Sequence, residues 1–179
     1  MALKSTIIKV TVEIADIDRG YYATHALTIA RHPSETDRRM MVRLLAFCMH
    51  AHENLAFGRG VSSDDEADIW QHNDIGDVEL WIMLGEPDVD RVRKASRQSQ
   101  QVVVYAYQSR SASVWWQRNH ALLAEIKNLQ VWQIPDQAAD QMETMVERTM
   151  QVQCTIQDGL VFLTNGDSSI TVEPLRLDV

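Results

Sequence analysis

The chain has 179 residues, is 45% hydrophobic, and carries 25 acidic against 17 basic side chains for a formal net charge of -8. That length and apolar content predict one globular domain over residues 1–179 with a sizeable core. The acidic balance argues against a general nucleic-acid coat, because such affinity comes from neutralising phosphates, yet it leaves room for a protein with one local basic face.

Residues 3–15 alternate polar and apolar with β-branched enrichment and predict a half-buried strand rather than an apolar leader. A turn at 16–20 and a second strand over 22–30 complete a hairpin. Ser34 with Asp37 three residues on gives a capping-box-like signal, and a helix is expected over 35–55. Met40, Met41, Leu44, Leu45, Cys48, Ala51 and Leu55 form its apolar stripe, while Glu35, Arg39 and Arg43 fall four apart on another face. Strands are expected at 66–72 and 77–84, a helix over 89–100 behind Asp88, and a buried strand at 101–108. Ser109, Ser111 and Ser113 read as a loop before a helix over 113–127. A strand at 128–134, a helix over 136–147 and a meander at 149–157, 160–164 and 169–176 complete a mixed α/β chain.

No apolar run approaches the ~20 residues of a membrane span, so no membrane partner is expected and the cytoplasm is the expected location. Cys48 and Cys154 sit inside periodic apolar segments and read as buried thiols.

Charge is distributed unevenly. From Gly60 to Asp90 there are ten acidic side chains and no Lys or Arg; from Arg91 to Arg118 there are six basic side chains and no Asp or Glu. Carboxylates that gather a divalent cation beside cations that hold a polyanion suit phosphodiester chemistry. Two oppositely charged solvated surfaces are the plainer reading. His50, His52 and Glu53 lie too close along one helix to share a metal, and no zinc, phosphate-loop or serine-hydrolase signature is present. Trp115, Trp116, Tyr105 and Tyr107 fall within the basic block, where they either stack on bases or pack in the core.

ARHPSET at 30–36, RLLA at 43–46, FGRG at 57–60, DDE at 64–66, W-I-x-L-G at 81–85 and RTM with IQDG across 148–159 occur in order along the chain. Together these stretches resemble the YaeQ family of bacterial proteins. The resemblance implies a variant of the PD-(D/E)XK nuclease fold: a restriction-endonuclease-like αβββαβ core, with additional β-strands from the N- and C-terminal segments. It implies Mg²⁺ as the cation, held by Glu35 and by Asp65 or Glu66. Lys94 would be a migrated catalytic lysine with Gln98 beside it, and Arg91, Arg97 and Arg110 would contact nucleic acid. Lys94 also reads as a surface lysine whose stem covers apolar neighbours. Met83 stands where that pattern asks for a metal-binding glutamate, and a thioether is a poor ligand for Mg²⁺. Glu79, four residues earlier on the same strand, lies ~13 Å away and is no replacement. The expectation is therefore a degenerate or weakly metal-binding site serving nucleic-acid or protein interaction, with an active Mg²⁺-dependent nuclease as the alternative. A third reading is an interaction protein with no nucleic-acid role.

Overall fold

The computed structural model describes residues 3–59 and 65–177, which fall into two compact units. Gly60 of the FGRG stretch and Asp64 of the DDE stretch lie outside the described residues.

The first unit takes residues 1–51 and 137–174. Its five-stranded sheet has the order β10-β9-β8-β1-β2. Strands β1 (Thr6–Asp16) and β2 (Tyr21–Arg31) form the expected hairpin, pairing antiparallel from Thr6↔Arg31 to Asp16↔Tyr21. Strand β8 (Thr149–Gln157) lies parallel to β1, and β9 (Leu160–Asn165) and β10 (Ser168–Val172) continue outward as a meander. The two-residue alternation puts Ile8, Val10, Val12 and Ile14 with Met150, Val152 and Cys154 on one buried face.

Helix α1 (Asp37–Met49) packs on that face, with Phe47 meeting His25 edge to face at 5.3 Å. Met40 through Cys48 are all buried, so the helix is covered nearly all round rather than along a single stripe. Its cap is Thr36, whose Oγ1 accepts from Arg39 N at 3.1 Å. The expected Ser34 cap instead turns back on His32, with Ser34 Oγ and His32 Nδ1 2.7 Å apart. The helix stops at Met49, not Leu55, because residues 55–57 are drawn into a sheet. Helix α4 (Asp136–Glu143) buries Ala138, Ala139 and Met142, and Arg38 of α1 forms an ion pair with its Asp140. Cys48 and Cys154 are free and buried. Their mutual hydrogen bond, with burial, pushes the Cys48 thiol well above its ordinary range.

The second unit takes residues 52–136 and 175–179. Strands β3 (Leu55–Phe57), β4 (Ile69–His72) and β5 (Val78–Leu84) run antiparallel in succession. Helix α2 (Val89–Gln98) then crosses over to β6 (Ser99–Ala106), parallel to β5. A second crossover through α3 (Ser109–Leu123) reaches β7 (Leu129–Gln133), parallel to β6. The short β11 (Leu175–Leu177) closes the far edge, giving the order β11-β7-β6-β5-β4-β3. The expected last strand at 169–176 is thus two strands in two sheets, parted at Pro174, which cannot donate to a ladder.

Both crossover helices cover one face of this sheet. Val92 and Ala95 of α2 and Trp115 and Leu123 of α3 pack with Trp81, Met83, Val102, Val104 and Val131. Burying each large apolar side chain contributes about 1.5–3 kcal/mol. Helix α3 begins at Ser109, four residues earlier than its periodicity suggests, so the serine stretch is its first turn and not a loop. Ser109 N donates to Asp136 Oδ1 at 2.9 Å, and Ser111 Oγ donates to Glu86 Oε1 at 2.5 Å. The aromatic alternatives resolve toward packing for three of the four residues, with Trp116 half-buried against the apolar cluster. Tyr105 is buried, as is Trp115, whose Nε1 donates to Pro87 O at 3.0 Å.

Candidate functional site

Strand β4 begins just after the loop that carries the expected acids. Gly58 and Ala67 approach closely: a Cβ on Gly58 would sit 1.9 Å from Ala67 O, so only glycine allows the two backbones to approach. Gly58 N donates to Asp68 O at 2.9 Å.

The acids that follow have separate fates. Asp65 is exposed and pairs with Lys94 of α2, twenty-nine residues on. The lysine's hydrogen bond and charge hold the Asp65 carboxyl below its ordinary value. Glu66 turns the other way, with its Oε2 accepting from Arg59 N at 2.9 Å and its Oε1 3.5 Å from the Arg59 guanidinium.

Asp68 was not among the expected site residues. It stands one residue before Ile69, and the β4–β5 register pairs Ile69 with Ile82. The ladder ends at that pair, and it is Ala67, not Asp68, that joins Met83 in the apolar cluster. Asp68 N donates to Ile82 O at 3.1 Å, and its Oδ2 accepts from Leu84 N at 2.8 Å. Met83 itself is 1% exposed and lies in the apolar cluster with Ala67, Trp81, Val92 and Ala95. Glu79, at the other end of β5, is hydrogen-bonded to Gln71 Nε2 at 2.6 Å.

On α2, Val92 and Ala95 face the core while Lys94, Arg97 and Gln98 are exposed and Arg91 is half-buried. Arg93 bridges Asp90 and Glu125 at 3.4 Å each. Arg110 is exposed in the first turn of α3. A shallow groove runs along Asp88, which precedes α2, then Asp90, Arg91, Arg93 and Lys94 of α2 and Asn119 and Leu122 of α3.

Glu35 belongs to the first unit and has a different environment. It is 4% exposed; Oε1 accepts from Arg39 at 2.9 Å and Oε2 from Arg43 at 2.8 Å. Arg31 Nη1 donates to the Glu35 carbonyl at 3.1 Å. Both carboxylate oxygens of Glu35 therefore serve ion pairs. Its spacing from Arg39 and Arg43 was the signal in the sequence that could have found this. Among the described residues, no group of three or more His, Cys, Asp or Glu side chains is placed to hold a metal ion. No described helix is long and apolar enough to cross a membrane.

The family model described as YaeQ protein matches residues 1–174 of the chain. The protein YaeQ of Escherichia coli (strain K12) is 45% identical over 172 residues, covering 96% of this chain and 95% of its own length. That of Salmonella typhi is 45% identical over 173 residues, covering 97% and 96%. The crystal structure of YaeQ protein from Xanthomonas axonopodis pv. citri superposes with a TM-score of 0.94 at 42% identity, covering 98% of this chain and 99% of that one. For the Pseudomonas syringae YaeQ structure the TM-score is 0.91 at 35% identity, covering 98% and 97%.

Proposed function

The chain belongs to the YaeQ family, and from that premise we propose a nuclease-like fold whose metal site has degenerated and whose basic α2 surface binds nucleic acid. The chain order α1, β3, β4, β5, α2, β6, with three antiparallel strands followed by a parallel crossover, supports a restriction-endonuclease-like core.

One observation carries the reading. Met83, where the family pattern asks for a metal-binding glutamate, is buried in the apolar cluster, while the nearby Asp68 carboxylate accepts from the N–H of Leu84, the next residue on β5. Mg²⁺ takes hard oxygen ligands in near-octahedral geometry, and a thioether packed among Val92 and Ala95 supplies none. Glu35 and Asp65, whose oxygens accept from arginine and lysine, fit that cation no better. The side chains that remain suited to a ligand are cations. Arg91, Lys94 and Arg97 on α2 and Arg110 on α3 would contact backbone phosphates, and Gln98 would hydrogen-bond beside them.

Fluorescence anisotropy with labelled single- and double-stranded DNA and RNA tests the binding. We expect affinity that falls steeply with salt. Removing both Lys94 and Arg97 should reduce the log–log salt slope by about 1 for each phosphate no longer neutralised. No binding of any probe at low salt would sink the proposal. Calorimetry tests the metal: the wild-type chain should bind neither Mg²⁺ nor Mn²⁺ at millimolar concentration. Met83→Glu puts a carboxylate on β5 next to Leu84, whose N–H the Asp68 carboxylate accepts, and its melting temperature should rise on adding Mn²⁺. Metal-dependent cleavage by the wild type, abolished by Asp68→Asn, would establish the active nuclease instead.

A further inference from the structure

Sheets that end in water expose a row of backbone donors and acceptors. Native proteins blunt such edges by keeping them short, charged, bulged or interrupted by proline. Three of the four sheet edges among the described residues follow that rule, because β10 has five residues and β3 and β11 have three each. The fourth edge, β2, does not.

Strand β2 runs for 11 residues, YYATHALTIAR, with no proline, no glycine and one charged side chain, Arg31, at its end. It pairs with β1 residue for residue, without a bulge. Its solvent-facing side chains Tyr22, Thr24, Ala26, Thr28 and Ala30 are exposed. Arg43 Nη2 donates to Ala30 O at 3.0 Å, near one end of the strand.

We infer that this edge is an interface with a second copy of the chain. The two β2 strands pair antiparallel about a two-fold axis at Ala26 and join the two sheets into one of ten strands. The occupant is argued from the strand's own composition. Full overlap of an 11-residue strand with its symmetry mate centres on its sixth residue, Ala26. In that register Tyr22 faces the partner's Ala30, Ala23 faces the partner's Ile29, and Thr24 faces the partner's Thr28. Tyr22 and Ile29 each meet an alanine, His25 meets the partner's Leu27, threonines meet threonines, and Ala26 meets itself at the axis. The lone charge, Arg31, meets the partner's Tyr21 rather than another cation. Full overlap and side-chain complementarity thus select the same register. This inference does not depend on the nucleic-acid reading.

Cysteine cross-linking and sedimentation test it together. Cys48 and Cys154 are buried, so new surface thiols report alone. In the proposed register Ala26→Cys should link to itself under mild oxidation, because directly opposed Cβ atoms lie within about 4.5–5.5 Å. Thr24→Cys should not link to itself but should link to Thr28→Cys when the two variants are mixed. The wild-type chain should sediment at twice its 20.4 kDa mass. Ala26→Lys opposes two cations at the axis and should sediment as a monomer with an unchanged circular-dichroism spectrum. A wild-type monomer at every concentration up to about 1 mM would overturn the inference and leave the edge to a foreign strand. So would a dimer that survives Ala26→Lys, or self-linking by Thr24→Cys with none by Ala26→Cys.

Discussion

The two units treat charge in opposite ways. The first buries Asp16, Glu35 and Arg43, which are the buried charged residues among those described. The second keeps its charges at the surface and fills its interior with Trp81, Met83, Val102 and Val104. A carboxylate removed from water needs a partner at every oxygen, so in the first unit the acids are committed to structure before any ligand arrives. Asp16 accepts from Arg19 N at 3.0 Å and from Arg19 Nε at 2.5 Å, as completely as Glu35 does from its two arginines. In the second unit Asp65 and Lys94 meet in solvent, where exchange for a ligand costs little. Acidity alone does not mark a site; burial decides which acids remain available.

The largest test of this contrast is Glu35→Ala. It strands the buried Arg43 guanidinium and should lower stability by about 3–5 kcal/mol in chemical denaturation. A loss under about 1 kcal/mol would show that the cluster is not structural and would reopen Glu35 as a ligand.

His50, at the C-terminal end of α1, is next. Burial lowers its pKa from 6.5 to about 4, with the Arg19 charge adding to the effect and Asp16 opposing it. The unfolded chain therefore takes up this proton first, so the stability contributed is complete above pH 6.5 and is lost as pH falls toward 4. The loss should reach about 3 kcal/mol, and His50→Gln should flatten the pH dependence over that window. An unchanged slope would mean that the imidazole is solvated.

A smaller effect is expected at Thr36→Ala, which removes the α1 cap and should cost about 1 kcal/mol. Ser34→Ala, at the cap expected from sequence, should cost less. The reverse ranking would restore the sequence-based boundary.

The smallest effect on stability belongs to the second unit. Lys94→Ala should leave the melting temperature unchanged while the Asp65 carboxyl, followed by NMR, titrates higher than in the wild type. Whatever stability the pair adds is lost as pH falls through the lowered Asp65 value, and added salt should erase it. A marked drop in melting temperature would mean that the pair is structural, like its counterparts in the first unit.

Much of this was legible because periodicity is a local property. Residues 149–157 were expected as a strand and form β8 over that same span, and the β1–β2 hairpin falls within a few residues of its expected limits. The family was legible as well, from motifs spread along the whole chain. In the candidate site, Asp65, Lys94 and Met83 were singled out from sequence, the first as a metal ligand and the second as a catalytic lysine, but the ion pair of Asp65 with Lys94 was not expected.

What tertiary structure alone decided is whatever depends on a distant partner. Three-residue strands such as β3 and β11 have no period of their own and exist because β4 and β7 offer them a ladder. The start of α3 depends on side chains from Asp136 and Glu86, which no local pattern brings near. Asp68 rather than Glu66 is tied to β5, through Ile82 O and Leu84 N, because strand pairing assigns neighbours, and pairing is a relation between two strands. The sequence by itself determined where the longer helices and strands lie, apart from their ends, and where charge collects along the chain. Pairing and burial decided which of those charges still face a ligand, because only a folded neighbour can desolvate a carboxylate or satisfy it.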